Sequence, residues 1–553
     1  MPHTDLKRTI WIGALTSLLA LMVGACDQSE SLVAGGNRSG IFHYGNGTEP
    51  QTIDPHVMSG SPEVNIAMAL FEGLVVRDPQ SLKMVPGAAE RWELSADKRT
   101  MTFFLNPRGR WSNGDPVTAH DFVWSLQRSL NPKLGNLLAY TLFPILNAEA
   151  YATARISDPT LLGITAIDDL TLQITLTNPT PYFLQTLGTY PTYPVHRATV
   201  EAHGGAAVRF TPWTKVENIV GNGPFVLEEW EMYRRITVSK SSTYWDAENV
   251  TLNKVVFHPI ENTSAEEKMF RVGQLHFSQR VPLSKIRNYQ AMDNSPYQQT
   301  PMLGTYYLSM NLTASPLDDV RVRMALAMSI NRQQIIETVL DGSERPATAL
   351  TPPGIPGYTP PDTIRYNPEH ARSLLAAAGY PDGEGWPGLT YLYNTAENHR
   401  KIAVTLQQMW KKELNIDVEL INQEWKVYLE TLNNKDFQIA RAGWIGGMLD
   451  PRTFLSRFIT TGGTNRTGFS NARYDEIMLK EAPETSDPVK RMDLLHEAET
   501  ILMQELPLIP LFAYNSKHLV QPSVEGAIVN LLDVQNFKFI NLNPDTPVWT
   551  PEG

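Results

Sequence analysis

Between Ala440 and Phe454 the chain reads ARAGWIGGMLDPRTF, and several side chains with chemical uses are crowded into that run. Arg441 supplies a permanent cation, Trp444 a flat face for stacking, and Asp450 an acid locked against Pro451. Gly446-Gly447 offers backbone that another molecule can approach closely, at the entropic cost glycine always carries. The composition of this run alone does not decide whether the glycine pair is a flexible joint or a place of close approach.

Catalytic and metal chemistry find little support elsewhere. The 12 histidines are scattered, with His196 and His203 the closest pair and no HExxH run. There is no GxSxG elbow and no GxxxxGK[ST] phosphate loop. GNG recurs at 45–47 and 221–223, but neither continues as a dinucleotide fingerprint. No enzyme, metal or cofactor is therefore expected, although a carboxylate pair assembled by the fold would leave no trace in sequence.

Composition is that of an ordinary globular chain, 42% hydrophobic and 19% charged. At 553 residues it exceeds one core, so several domains are expected. A net charge of −11 with no basic run argues against a nucleic-acid partner. Lys7 and Arg8 precede an apolar stretch, Ile10 to Val23, that ends in VGAC, the order of a secretory leader. Cys26 is the only cysteine, and the pattern resembles a bacterial lipobox in which that cysteine is acylated. Residues 1–25 then form the leader, 26–40 a polar tether, and lipid on Cys26 the membrane anchor, with Asp27 suggesting the inner membrane in a Gram-negative host.

The elements that must position Arg441 alternate strand and helix. TMTFFLN and LTLQITLTN read as strands, and the segment around Phe225 to Lys240 as two strands about a polar turn. Thr118, three before Asp121, predicts a helix start that buries Phe122, Val123 and Leu126. Asn331 and Asn367 predict caps of further helices, closed by Gly342 and Gly379. LTYLYNT, IDVELI and FQIARAGW read as strands, separated by helices over 400–414 and WKVYLETL. The α/β succession puts Arg441 and Trp444 at the C-terminal end of a strand, where open sheets form ligand crevices.

Several long runs, in order, resemble the oligopeptide/dipeptide class of extracytoplasmic solute-binding proteins that feed ABC importers: WSNGDPVTAHDFVWS, YYLSMNL, DVRVRMALAMSINR, LLAAAGYP, LYNTAENHRK, LINQEWKVYLETL and ARAGW. The resemblance implies a two-lobed α/β fold of three domains with a cleft between domains I and III. Domain I would be 41–72, 197–300 and 515–553, domain II 73–196 and domain III 301–514. It implies capture of an extended oligopeptide by backbone hydrogen bonds, a permease and ATPase as partners, and a monomer.

Carried over by position, Arg441 and His399 match residues that receive a peptide's C-terminal carboxylate, and Asn394, Trp425 and Trp444 match cleft positions. Gly443, Ile445, Ser59 and Ser61 complete the expected contacts. Gly447 stands where the family commonly has an aspartate for the peptide ammonium, and Ser59 and Ser309 stand where it has glutamates. The site is thus expected to lack its usual anion, with Asp450 either a substitute or a structural acid. Arg441 could instead pair with Asp436, His399 be a solvated helix-start residue, and the two tryptophans be core. An N-blocked or non-peptide solute is the alternative ligand.

Overall fold

The computed structural model describes residues 30–551 except 59, 463, 486 and 528, and the backbone alone at Glu397, Trp425 and Lys426. The leader at 1–25, Cys26, Asp27 and Ser59 lie outside the described residues, as does the side chain of Trp425.

Where polar, glycine-rich composition predicts a tether, the chain forms helix α1 (Leu32–Ser39). Ser31 caps it by accepting from the Ala34 amide at 3.2 Å. Val33 is fully buried, and Asn37 Oδ1 meets His276 Nε2 at 3.1 Å. Gly36 is present for space rather than flexibility, since a Cβ there would lie 2.3 Å from the Ile41 carbonyl oxygen. The tether expectation is corrected over 32–39: one apolar anchor and one close approach dock a segment that composition alone would leave free.

Strand β1 (Ile41–Gly45) and helix α2 (Ser61–Leu70) follow. An antiparallel sheet is then built from β2 (Ala89–Leu94), β3 (Thr100–Leu105), β4 (Ile164–Asp168) and β5 (Thr171–Thr175), with α3 (Ala119–Ser129) packed on it. Asp121 accepts from the Thr118 amide at 2.8 Å, which fixes the start of α3 where expected, with Phe122 and Leu126 buried and Val123 partly so. Next come the hairpin β6 (Phe225–Glu231) and β7 (Arg235–Lys240), then β8 (Lys254–His258), β9 (Phe277–Ser278) and β10 (Tyr297–Met310).

The second half runs α4 (Val320–Met328), α5 (Arg332–Val339), α6 (Pro368–Ala377), β11 (Thr390–Asn394), α7 (Glu397–Leu414), β12 (Glu419–Gln423), α8 (Trp425–Asn433), β13 (Ile439–Ile445), α9 (Pro488–Glu505) and β14 (Leu508–Val520). Asn331 and Asn367 cap α5 and α6 by accepting from Gln334 and His370 amides, both at 3.0 Å.

Ten of these strands lie side by side in the order β12-β11-β13-β10-β14-β9-β1-β8-β7-β6. The long pair β10 and β14, 14 and 13 residues, is antiparallel from Tyr297↔Leu519 to Ser309↔Leu508. Its register breaks between Pro301 and Thr305. Before the break β10 runs against 515–519 of β14; beyond it β10 also carries β13 on its other side. Buried apolar residues segregate accordingly. One core draws on 303–512 and Leu532, a second on 42–71, 193–277, Val520, Phe537 and Ile540, and a third on 74–187. The result is a mixed α/β molecule of two lobes joined through β10 and β14.

Candidate functional site

β13 lies next to β10, with Arg441 opposite Leu308 and Gly443 opposite Tyr306. Arg441 is the third of seven strand residues, so the expectation that it ends the strand is corrected. Period-two alternation puts Arg441 and Gly443 on one face, and Ala442 and Trp444, with Tyr307 and Ser309 across the ladder, on the other.

On the first face, the Arg441 guanidinium carbon lies 4.9 Å from the centre of the Tyr306 ring, and its Nη2 is 3.5 Å from Tyr514 Oη. A Cβ on Gly443 would come within 2.6 Å of that Tyr514 oxygen, and one on Gly304 within 2.8 Å of the Tyr514 ring. Both glycines therefore make room for the tyrosine that reaches Arg441. Among the described residues no carboxylate lies within 4.0 Å of Arg441, and its buried Nε has no partner, which removes the pairing with Asp436. His399, in the first turn of α7, packs on Tyr306 with ring centres 5.6 Å apart and Nδ1 3.4 Å from Tyr306 Oη. Burial, reinforced by the charge of Arg441, pushes its pKa down to about 3, so it is a neutral hydrogen-bonding group at ordinary pH rather than a solvated residue.

β11 pairs with β13 only at Tyr391↔Ile439 and Leu392↔Ala440. Beyond that point no described strand covers the outer edge of β13; the Arg441 carbonyl accepts from Tyr428 Oη, and 442–445 presents an open run of backbone groups. Ile445, at its end, is 48% exposed. Asn394 and Gln423 finish the parallel strands β11 and β12 side by side, and the buried Oδ1 of one and Oε1 of the other have no partner.

On the second face, Trp444 donates from Nε1 to the Thr453 carbonyl at 2.8 Å, and the Arg457 guanidinium lies 3.9 Å from the centre of its ring. It is half-buried and packs against the 303–512 core. Beside it a cavity of about 80 Å³ is lined by Tyr307, Ser309, Tyr428, Arg441, Arg457, Thr464 and Arg466, among others.

Gly446 and Gly447 differ in role. A Cβ on Gly446 would sit 2.8 Å from Thr453 Cγ2 and 2.9 Å from Leu303 Cδ2, whereas nothing lies within 4 Å of one on Gly447. Gly447 borders a cavity of about 170 Å³ that also meets Val64 and Met68 of α2, Arg77, Tyr190 and Lys538. Arg77 donates from Nη2 to the Gly447 carbonyl at 3.4 Å and from Nη1 to the Leu82 carbonyl at 3.2 Å. Burial lowers its pKa to about 10, and no carboxylate pairs with it among the described residues. A cation thus stands at the Gly447 carbonyl. Ser61 is exposed at the start of α2.

Asp450 does not replace the missing acid. It is 3% exposed, and both its oxygens accept from Arg491, at 2.6 and 3.0 Å. That pairing consumes its charge, and it leaves the set of candidate contacts. Sequence reasoning also missed Arg77, Gln423, Arg457, Arg466 and Tyr514. Gln423 ends a predicted strand beside Asn394 and was accessible to the same crevice argument. The others reach the site from remote segments and carried no local signal.

The family described as bacterial extracellular solute-binding proteins, family 5 (middle region), matches residues 83–466. The periplasmic murein peptide-binding protein MppA of Escherichia coli is 37% identical over 87% of this chain and 89% of its own. Its solved structure superposes with a TM-score of 0.80 over 91% of this chain and 98% of that one, at 36% identity. The periplasmic oligopeptide-binding protein OppA of E. coli is 34% identical, over 87% and 88% of the two chains. Haemophilus influenzae OppA, solved in complex with the peptide RPPGFSPFR, has a TM-score of 0.79, 32% identity and coverage of 91% and 99%.

Proposed function

The chain belongs to family 5 of the bacterial extracellular solute-binding proteins, which are binding proteins and not enzymes, and on that premise we propose that it captures oligopeptides for an ABC importer. The observation that carries this reading is the open edge of β13 at 442–445, beside an Arg441 whose side chain has no carboxylate partner among the described residues. An extended peptide added to that edge gains main-chain hydrogen bonds that do not depend on its sequence, and Arg441 with neutral His399 receives its terminal carboxylate. Asn394 and Gln423, with unmet acceptors, supply further polar contacts at the crevice. Trp444, Gly443 and Ile445 shape the strand and its wall, and Trp425, Ser59 and Ser61 remain assigned by position.

The three separate apolar cores support a division into domain I (41–72, 197–300, 515–553), domain II (73–196) and domain III (301–514), with the ligand between I and III. Export, acylation of Cys26 and retention at the inner membrane by Asp27 complete the reading, with ATP hydrolysis left to the permease-ATPase partner and the receptor itself a monomer.

A second reading, a solute without a free amine, is favoured by Gly447 and by the cation Arg77 on its carbonyl. One experiment separates the two. The protein is purified natively, then denatured, and the released molecules are identified by mass spectrometry. A mixture of peptides with free N-termini supports the first reading; one discrete blocked or non-peptide mass overturns it in favour of the second.

A further inference from the structure

Around the cavity on the second face of β13, Arg457 and Arg466 converge, Arg441 borders it from the strand while its guanidinium turns to Tyr306 and Tyr514 on the first face, and no aspartate or glutamate lines it. Each of the three has a buried Nε without a hydrogen-bond partner. None forms an ion pair among the described residues. Arg457 is held by Trp444, 3.9 Å from the ring centre, so its plane is fixed. Burial and the charge of Arg457 together pull the pKa of Arg466 below its ordinary value, which places the two cations within mutual influence. Ser309 and Leu432, also on the lining, add no charge. Folding has therefore left half-buried guanidiniums uncompensated, an arrangement that an incoming anion relieves. A space of about 80 Å³ is too small for a peptide and suits one carboxylate with its methylene stem.

We infer that this cavity is a carboxylate subsite, in which Arg457 and Arg466 bind an acidic side chain of the ligand, and that the ligands of this protein are acidic peptides. The inference rests on the peptide reading. Because alternate residues of an added strand point to opposite faces, one ligand side chain enters this cavity while the terminal carboxylate goes to Arg441. Fork-shaped donors then meet a planar acceptor, with the hydroxyls of Ser309 and Tyr307 alongside.

The test is calorimetry with alanine tetrapeptides in which Glu or Gln is placed at each position in turn, each with a free and an amidated C-terminus. The expected result is one position where Glu binds about tenfold tighter than Gln. That ratio falls to within about twofold in Arg466→Gln and in Arg457→Gln, while Arg457→Lys keeps part of it. If the variants instead erase the preference for a free over an amidated terminus, the cavity takes the terminal carboxylate, and the claim of acidic peptides is overturned. Equal affinity of Glu and Gln at every position, with binding measurable, overturns the subsite and leaves the peptide reading intact. If no peptide binds, the peptide reading fails, and N-acetylglutamate decides the subsite alone. A rise in Tm with that probe that is lost in Arg466→Gln supports it, and no rise overturns it.

Discussion

At Gly447 the absence of a side chain has a partner elsewhere in the chain. Arg77 already donates to the Gly447 carbonyl, so an acid restored at 447 would find a guanidinium before it found a ligand ammonium. Gly447→Asp alone is therefore expected to change affinity for free-amine peptides little, the new carboxylate being consumed internally. Arg77→Ser together with Gly447→Asp should favour a free-amine peptide over its N-acetylated form by about tenfold, because a charge-assisted pair then forms without competition. Calorimetry on the two peptides decides it. Equal affinities in the double variant would remove the ligand's amino end from this cavity.

Among the elements, α3 is fastened to a core other than its own. Arg128, at its buried end, donates to Asp54 at 2.9 and 2.6 Å and meets His56 Nδ1 at 2.9 Å, while Trp213 Nε1 donates to the same carboxylate at 3.2 Å. Arg128→Met would leave Asp54 buried and unpaired, and a loss of about 3–5 kcal/mol is expected in urea unfolding, part of it recovered by adding Asp54→Asn. A loss below about 1 kcal/mol would make this pair no more than a surface bridge. Elements of this kind were well marked in sequence where local rules act. The Thr118-Asp121 start, the Asn331 and Asn367 caps and the alternation in β5 all reflect contacts between near neighbours. The tether-like run at 32–39 misled because Val33 and Gly36 act through Gly273, His276 and Ile41. Arg441, His399, Asn394 and Trp444 were legible as a set only through resemblance. The opposing cations Arg77, Arg457 and Arg466 were not, since their meaning arises when distant segments meet. Asp450 shows the same limit from the other side: sequence left it open as a substitute or a structural acid, and Arg491, 41 residues away, makes it structural.

For the whole molecule, a peptide held between two lobes must stabilise both. At a hundredfold excess over Kd the gain is about 2.7 kcal/mol, and every calorimetric transition should move up with it. A shift confined to one transition would mean that the ligand sits on a single lobe, and the cleft reading would fail. The docked helix α1 has its own consequence for how the receptor stands on the cell. If Cys26 carries the acyl chains proposed above, with α1 anchored by Val33 and Asn37, four residues would separate the lipid from the Ser31 cap, five chain steps with a reach of at most ~18 Å. On that proposed anchoring, the lobe that carries α1 and β1 would be moored at the bilayer on a short leash. The receptor would then dock with a restricted orientation, and encounter with a permease becomes a search over angle more than over distance.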